Sequence, residues 1–205
     1  MSPGISEKRR DTAVKKKQLR ILFIGNSHTY FNDMPLGVKR RFDEEGYDCS
    51  VTMLAHPGWF LAQHAEDPEA KFNILYGGYD YVVLQEHAHP FGPVEKYFDA
   101  ARTLTGWIKE AGSTPVIYMT WARKNEPETQ QEMTDAHIRI AQETGSLLAH
   151  VGDMWWGYME SWPNLEMYAE DGEHASPAGS DFAAKMIQSA ILNDLFHKKH
   201  MAKQH

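Results

Sequence analysis

The sequence is poor in cysteine, has no long apolar run and carries no net basic charge. Its single cysteine, Cys49, excludes an internal disulfide and is typical of a protein from a reducing compartment. No apolar run approaches the roughly 20 residues that a membrane-spanning helix needs. Residues 1–20 also lack the apolar core of a signal peptide. These absences predict a cytoplasmic protein that does not use a membrane as a partner.

The basic residues that are present concentrate at the start of the chain. Acidic residues outnumber Lys and Arg by 28 to 21 overall, yet residues 1–20 hold seven Lys or Arg and only two acidic residues. We expect residues 1–19 to form a disordered basic arm. Residues 20–200 are expected to form one domain, since 205 residues suffice for one sizeable core. The acidic body after the arm argues against nucleic acid as a partner.

Five apolar runs alternate with helical patterns along the rest of the chain. The runs lack polar alternation, which is typical of strands buried on both faces, and they span 20–24, 49–55, 81–85, 115–120 and 147–151. Apolar residues at three- and four-residue steps predict helices at 35–45, 94–111, 128–144 and 177–196. Alternating strands and helices predict an α/β fold, a three-layer α/β/α sandwich around a five-stranded parallel sheet of flavodoxin-like type.

Residues that suit a binding site follow the predicted strands. Ser27 comes after the first strand, Gly58 after the second and Trp121 after the fourth, while Gln85 ends the third. Ligands of parallel sheets bind at the carboxyl ends of the strands. We therefore expect these four residues to meet at one edge of the sheet.

A segment without predicted helix or strand, 152–176, ends near a second candidate motif. Loops of this length in a compact domain are usually functional. Within it, Asp171 stands three residues before His174. A serine with a distant Asp and His is the raw material of nucleophilic catalysis, so hydrolysis or acyl transfer is the leading hypothesis. Each part alone also has a plain explanation, since serines cap helices and Asp residues start turns.

Taken together, these segments resemble the first and last motifs of the SGNH (GDSL-like) hydrolase superfamily, with Gly-Asn-Ser in place of Gly-Asp-Ser at 25–27. The resemblance extends over 22–196. It implies an esterase with Ser27 as nucleophile, His174 as general base and Asp171 as the residue that orients the base. This chemistry needs no metal or organic cofactor.

The resemblance also implies an oxyanion hole, but one block of the family pattern differs here. The amides of Ser27 and Gly58 are two expected donors, and the third is a side-chain amide after the third strand. The family's Gly-x-Asn-Asp block is absent, and 84–87 reads Leu-Gln-Glu-His instead. We predict Gln85 as the third donor, because a neutral amide donates at any pH. By direct register, His87 falls nearer the missing Asn, so both candidates stay open.

Aromatic residues near the same edge suggest how a substrate is held. Trp59, His87 and Trp121 are the predicted substrate contacts, since such rings stack on sugars or line acyl pockets. Many members of the superfamily are carbohydrate O-acetylesterases or short-chain esterases. The resemblance therefore implies a small acyl ester as substrate, with acetylated sugars as one class.

Three other interpretations fit parts of the pattern. An acyltransferase shares the acyl-enzyme step and differs only in the acceptor. A non-catalytic carbohydrate-binding module keeps the scaffold without the chemistry, and the missing Asn block favours it. A metal-dependent hydrolase would use Asp171 and His174 with other histidines, although metal sites need three or four ligands and the sequence shows no second cluster.

Overall fold

Five parallel strands form one sheet in the order β2-β1-β3-β4-β5. The computed structural model describes residues 16–202. The strands are β1 (Lys17–Gly25), β2 (Tyr47–Ala55), β3 (Tyr81–Gln85), β4 (Thr114–Tyr118) and β5 (Leu147–Ala149). The predicted five-stranded parallel sheet is confirmed.

The first strand starts earlier than the apolar pattern predicts. β1 begins at Lys17, inside the predicted arm, and Lys17 pairs with Tyr47 of β2. Main-chain hydrogen bonds to β2 hold this end, and the side chains of Lys17 and Gln18 are exposed. A hydrophobic pattern cannot detect pairing of that kind. Residues 1–15 of the predicted arm lie outside the described residues.

Helices cover both faces of the sheet. In the described range they are α1 (Ser27–Tyr30), α2 (Met34–Glu44), α3 (Leu61–Glu66), α4 (Pro68–Tyr76), α5 (Val94–Glu110), α6 (Gln130–Thr144), α7 (Val151–Ser161) and α8 (Pro177–Met201). Short 3-10 turns, Phe31–Asp33 and Pro127–Thr129, precede α2 and α6. None of the helices between residues 16 and 202 combines the length and apolar character that crossing a bilayer requires.

Sequence patterns located the four long amphipathic helices and missed α3, α4 and α7, besides the single-turn α1. The segment 152–176 was expected to lack regular structure, and this is wrong, because α7 occupies its first part. Burial of the Trp155 indole on the core side stabilises α7, although glycines and aromatic residues lower its helix propensity. The other two, α3 and α4, are short and meet at Pro68, so neither is long enough to show a clear period.

Two apolar layers cover the sheet and bury β3, β4 and the second half of β1 on both faces, whereas the edge strand β2 is only partly buried, so the prediction of burial on both faces is wrong for it. One layer packs Phe23 of β1 against α2, α7 and α8, and the other packs Ile24 against α3, α5 and α6. The carboxyl ends of β1 and β3 are neighbours, with Ile24 paired to Leu84. The turns that follow these two strands are therefore adjacent at one edge of the sheet.

Candidate active site

Ser27 lies in a tight turn between β1 and α1. We call residues 25–31 the nucleophile turn. Asn26 caps α1, since its Oδ1 accepts the N–H of His28 at 3.0 Å. The Asn26 side chain also donates from Nδ2 to the carbonyl of Trp59 at 2.9 Å. A single asparagine thus starts the helix and ties Ser27 to the loop after β2.

Gln85 supports the nucleophile turn from the end of β3. Its Oε1 accepts the N–H of Asn26 and the hydroxyl of Thr29, both at 2.8 Å, and the side chain is fully buried. Because the Asn26 N–H is a donor, the Gln85 atom that faces it must be the amide oxygen, which fixes the orientation of the Gln85 amide. Its Nε2 then donates to the Glu86 carbonyl. The prediction that Gln85 donates to an oxyanion is therefore wrong, because its amide is buried and already paired.

Packing around Gln85 also explains the glycine that ends β1. A Cβ at Gly25 would stand 2.5 Å from both Gln85 Oε1 and Thr29 Oγ1. Such a contact is shorter than the hydrogen bonds it would displace, so only glycine fits without moving the turn.

Ser27, His174 and Asp171 form a continuous hydrogen-bonded chain. The Nε2 of His174 lies 2.8 Å from Ser27 Oγ, and its Nδ1 lies 2.7 Å from Asp171 Oδ2. The other oxygen of Asp171 accepts the N–H groups of Glu173 and His174, both at 2.9 Å. This Asx turn folds the carboxylate back onto the ring, so a spacing of three residues suffices for the pair.

The Asp171 carboxylate is strongly favoured in its charged form. Burial raises its pKa, but hydrogen bonds from the His174 ring and from two backbone N–H groups outweigh burial and lower the pKa to about 2. An ionised Asp171 accepts from Nδ1 of His174 and so leaves the Nε2 lone pair facing Ser27. This is the tautomer that a general base for the serine hydroxyl needs.

Two aromatic rings of the nucleophile turn enclose the His174 imidazole. The Phe31 ring stacks on it at 4.0 Å between centroids and 12° between planes, and the His28 ring at 4.7 Å and 29°. Both rings lie close to His174, yet among residues 16–202 they form no aromatic pair with each other. They therefore lie on opposite faces of the His174 ring. The turn that carries Ser27 therefore also orients the ring that faces it.

The segment that carries His174 is fastened mainly through its backbone. We call residues 166–176 the histidine loop. Within this loop, the Gly172 carbonyl accepts the N–H of Lys124 at 2.9 Å. The Ala175 carbonyl accepts a hydrogen bond from Asn32 Nδ2 at 2.9 Å. Ser176 ends the loop as the N-cap of α8, where its hydroxyl accepts the N–H of Gly179.

Trp121 supports the same loop from below. Its indole is fully buried and donates from Nε1 to the Glu173 carbonyl at 2.9 Å. The prediction that Trp121 contacts the substrate is wrong, because no part of the side chain is open to solvent. A tryptophan that follows a strand can lie exposed at the site or buried beneath it, and the sequence does not distinguish the two. The packing of α7 shows that Trp121 is buried.

Gly58, Trp59 and His87 lie at the open edge. Gly58 has a φ of 70°, a left-handed conformation that favours glycine. The N–H groups of Ser27 and Gly58 donate no hydrogen bond within residues 16–202, as expected of groups that await an anion. Trp59 and His87 are half-buried, and His87 stacks on Phe60 at 4.2 Å. A contact of Trp59 or His87 with substrate stays a prediction.

His28 and His89 lie at the site but were not predicted there from the sequence. Their rings lie 5.3 Å apart beside His174. Burial, followed by neighbouring positive charge, lowers the pKa of His28 well below its usual value and that of His89 to about 4. Both are therefore neutral near pH 7. His28 follows Ser27 directly, which is a signal in the sequence, but only the turn geometry shows that its ring faces the base.

A separate cluster could hold a cation. Within residues 16–202, His56, Asp67 and Glu69 place one ligand atom each within 4.8 Å of the others. None of the three belongs to the Ser27 site. Asp171 and His174 are engaged with each other and with Ser27, so the geometry gives the metal-hydrolase interpretation no support from this pair.

Comparison with known proteins finds solved structures of similar fold. No family model and no curated protein matches the chain. A protein from Slackia heliotrinireducens classed as an SGNH hydrolase has a TM-score of 0.74 and 29% identity, covering 85% of this chain and 100% of its own. An acetylxylan esterase of Geobacillus stearothermophilus, Axe2, gives 0.65 and 17%, covering 86% and 95%. The esterase EstA from Pseudoalteromonas sp., in a structure inhibited by monoethylphosphonate, gives 0.64 and 13%, covering 86% and 98%.

The matches to Axe2 and EstA show similarity of fold alone, because their sequence identity to this chain is only 17% and 13%. The Slackia protein is more similar in sequence, and the two chains correspond over almost their whole described length. That match agrees with three features of this chain: the parallel sheet, the serine after β1 and the Asp-x-x-His segment before the last helix. The chain has the fold of the SGNH (GDSL-like) hydrolases and is similar in sequence to one protein classed as such a hydrolase.

Proposed function

We propose that this SGNH-type carboxylic ester hydrolase cleaves small acyl esters through an acyl-enzyme formed on Ser27. The observation that carries the proposal is the hydrogen-bonded chain from Ser27 Oγ through His174 to Asp171. A serine hydroxyl is a poor nucleophile until a base takes its proton, and His174 is positioned to take it. Asp171 holds the required tautomer and stabilises the imidazolium that forms.

The reaction then proceeds in two balanced halves. As Ser27 Oγ bonds to the ester carbonyl carbon, its proton moves to His174 Nε2, and the carbonyl oxygen becomes an oxyanion. The free N–H groups of Ser27 and Gly58 stabilise this charge, and losing one such donor typically costs about 3–4 kcal/mol. His174 returns the proton to the leaving alcohol oxygen. Water then adds to the acyl-enzyme by the same route and releases the acid.

The Phe31 ring adds a second stabilisation to the charged base. An imidazolium stacked on an aromatic face gains cation–π energy, typically about 0.5–2 kcal/mol. Because the Phe31 contact is already present at 4.0 Å in the resting protein, it needs no rearrangement when His174 takes the proton. The stack is therefore already in place for the imidazolium that forms in both halves of the reaction.

We further propose acetylated carbohydrates as the substrate class. Axe2 of Geobacillus stearothermophilus, which shares this fold, is an acetylxylan esterase. Half-buried Trp59 and His87 at the open edge supply flat faces of the kind that stack on sugar rings. The chemistry proposed for Ser27 uses no cofactor.

A serine-directed phosphonate tests the mechanism without knowledge of the substrate. Intact mass and peptide mapping should show one label, on Ser27, in the wild type, and none in Ser27→Ala or His174→Ala. Ser189→Ala, which removes an exposed hydroxyl on α8, is the matched control and should label normally. A folded wild type without label would contradict the proposal and favour the non-catalytic carbohydrate-binding module.

A further inference from the structure

We propose that Glu86 is a positioning residue for the oxyanion donor Gly58, and that it acts in its ionised form. The inference rests on the proposed function, in which the Gly58 N–H stabilises the oxyanion. We call residues 56–61 the oxyanion loop, which runs from the end of β2 to the first residue of α3. Glu86 directly follows β3 and is no part of the hydrogen-bonded chain from Ser27 to Asp171.

The Glu86 carboxylate joins the oxyanion loop to the end of β3. Its Oε2 accepts the N–H of Leu61 at 3.2 Å, and its Oε1 accepts the N–H of His87 at 2.8 Å. The His87 ring in turn stacks on Phe60, with 4.2 Å between centroids and 13° between planes. Glu86 therefore holds the oxyanion loop twice, directly at Leu61 and through His87 at Phe60.

Gly58 depends on such anchors, because nothing packs against it. No described atom lies within 4 Å of the place where a Cβ of Gly58 would stand. On either side of Gly58, the N–H of His56 and the carbonyl of Trp59 bond to the nucleophile turn. The bond from Leu61 to Glu86 fixes the end of the loop. The direction of the Gly58 N–H is thus set by contacts of its neighbours, including this one.

The surroundings of Glu86 make its ionisation sensitive to pH near neutrality. The residue is 1% exposed. Lys96 and Tyr97 of α5 face it across a cavity of about 240 Å³, the neutral Gln63 lines the α3 side, and His87 is the titratable group on its own loop. Within residues 16–202, Lys96 forms no ion pair with it. Burial outweighs the two backbone hydrogen bonds and raises the pKa of Glu86 to about 7.

Protonation of Glu86 weakens the connection between the two loops. An ionised carboxylate accepts both N–H groups, in hydrogen bonds about twice as strong as those between neutral groups. A proton on one oxygen makes that oxygen a poorer acceptor. The oxyanion loop should therefore be held more tightly above about pH 7 than below it. Since burial penalises the charge, the form that positions Gly58 is also the less stable one.

Glu86→Gln imitates the protonated acid, so its effect on activity should depend on pH. On 4-nitrophenyl acetate, followed by release of acetate, kcat should be about tenfold below wild type near pH 8.5, with KM within about threefold, because an oxyanion donor acts in the transition state. Near pH 5.5 the two proteins should differ by less than about twofold. His174 titrates in both and cancels in the ratio. Glu95→Gln makes the same change at an exposed position of α5 and should match wild type at both pH values.

Urea unfolding tests the titration without a substrate. Because the pKa of Glu86 is raised in the folded protein from 4.5 to about 7, its contribution to stability is complete below about pH 4.5 and is lost as the pH rises through about 7. The folding equilibrium constant of wild type relative to Glu86→Gln should therefore fall more than about tenfold between pH 4.5 and 8. Should the variant not fold, wild type with carbon-13 in its glutamate carboxyls should still show one signal that titrates near pH 7.

The outcomes separate this proposal from the proposed function. A constant ratio of folding constants, or the lack of a carboxyl signal that titrates near pH 7, would overturn the ionisation of Glu86. An equal loss of kcat at both pH values would overturn its action as a carboxylate on Gly58. A folded wild type that releases no acetate would overturn the proposed function, and with it the role of Gly58, while the titration of Glu86 would stand.

Discussion

The nucleophile turn and the histidine loop meet at one hydrogen bond, yet they are held in different ways. Buried side chains hold the nucleophile turn, above all Gln85, which is fully covered. The ends of the histidine loop are buried and Trp121 supports it from below, but the Asp171 side chain in its middle is 46% exposed and is held mainly by hydrogen bonds within the loop. A buried hydrogen bond is costly to lose and hard to replace, whereas exposed contacts are individually weak. Damage to the first region should thus affect folding and activity together, and damage to the second mainly activity.

The largest expected effect in this comparison comes from Asp171→Asn. An amide at this position cannot hold the base in the required tautomer as a carboxylate does, so kcat should fall roughly 10²–10⁴-fold. The free energy of unfolding at pH 7 should fall by less than about 1 kcal/mol, since the side chain is about half exposed. Steady-state kinetics and urea unfolding measure both. Glu170→Gln, the exposed neighbour, is the control, and an equally stable variant with more than a third of wild-type kcat would contradict the role of Asp171.

Gln85→Leu should combine a smaller loss of activity with a larger loss of stability. It leaves the N–H of Asn26 and the hydroxyl of Thr29 buried without a partner, which costs about 1–3 kcal/mol for each group. We expect kcat to fall about 10–100-fold as Ser27 loses its fixed position. Chemical unfolding and kinetics test this, and a change in unfolding free energy below about 0.5 kcal/mol would show that Gln85 is not the support we describe.

These two residues also show what sequence can and cannot predict. Ser27, Asp171 and His174 can be predicted as candidates because the chemistry needs those residue types and because they stand beside regular elements that a pattern can locate. The contacts of Gln85 were not predictable, because they depend on the register between β1 and β3 and on which face of the turn is covered. Trp121 was misassigned for the same reason, since burial by α7 is a tertiary effect that leaves no local signal.

Acid should begin to affect the two regions at different pH values. The pKa of His28 is depressed in the folded protein by burial, so its contribution to stability is complete above about pH 6.5 and declines as the pH falls below that value. The pKa of Asp171 is about 2, so its contribution is complete above about pH 4 and is lost as the pH falls towards 2. Unfolding free energies across pH should therefore lose slope from about pH 6.5 downwards in His28→Phe, and only between about 4 and 2 in Asp171→Asn. Identical profiles in both variants would contradict the distinction.

The smallest expected effect comes from the surface of the histidine loop. Lys124 Nζ pairs with Glu166 at 2.7 Å, and both side chains are about half exposed. Lys124→Met should change the unfolding free energy by less than about 0.5 kcal/mol and leave kcat within twofold. A loss of kcat above tenfold, measured on a folded variant, would mean that the ion pair and not the backbone fixes the loop.

The stacking of Phe31 on His174 has a spectroscopic consequence. Protons above the face of an aromatic ring are shielded by its ring current, and the Phe31 centroid lies 4.0 Å from that of the imidazole. The carbon-bound protons of His174 should therefore resonate upfield of those of the exposed His197 in a magnetic resonance spectrum of the resting protein. In Phe31→Leu they should move back. Assembly of the two regions is thus observable in a protein that has neither substrate nor inhibitor bound.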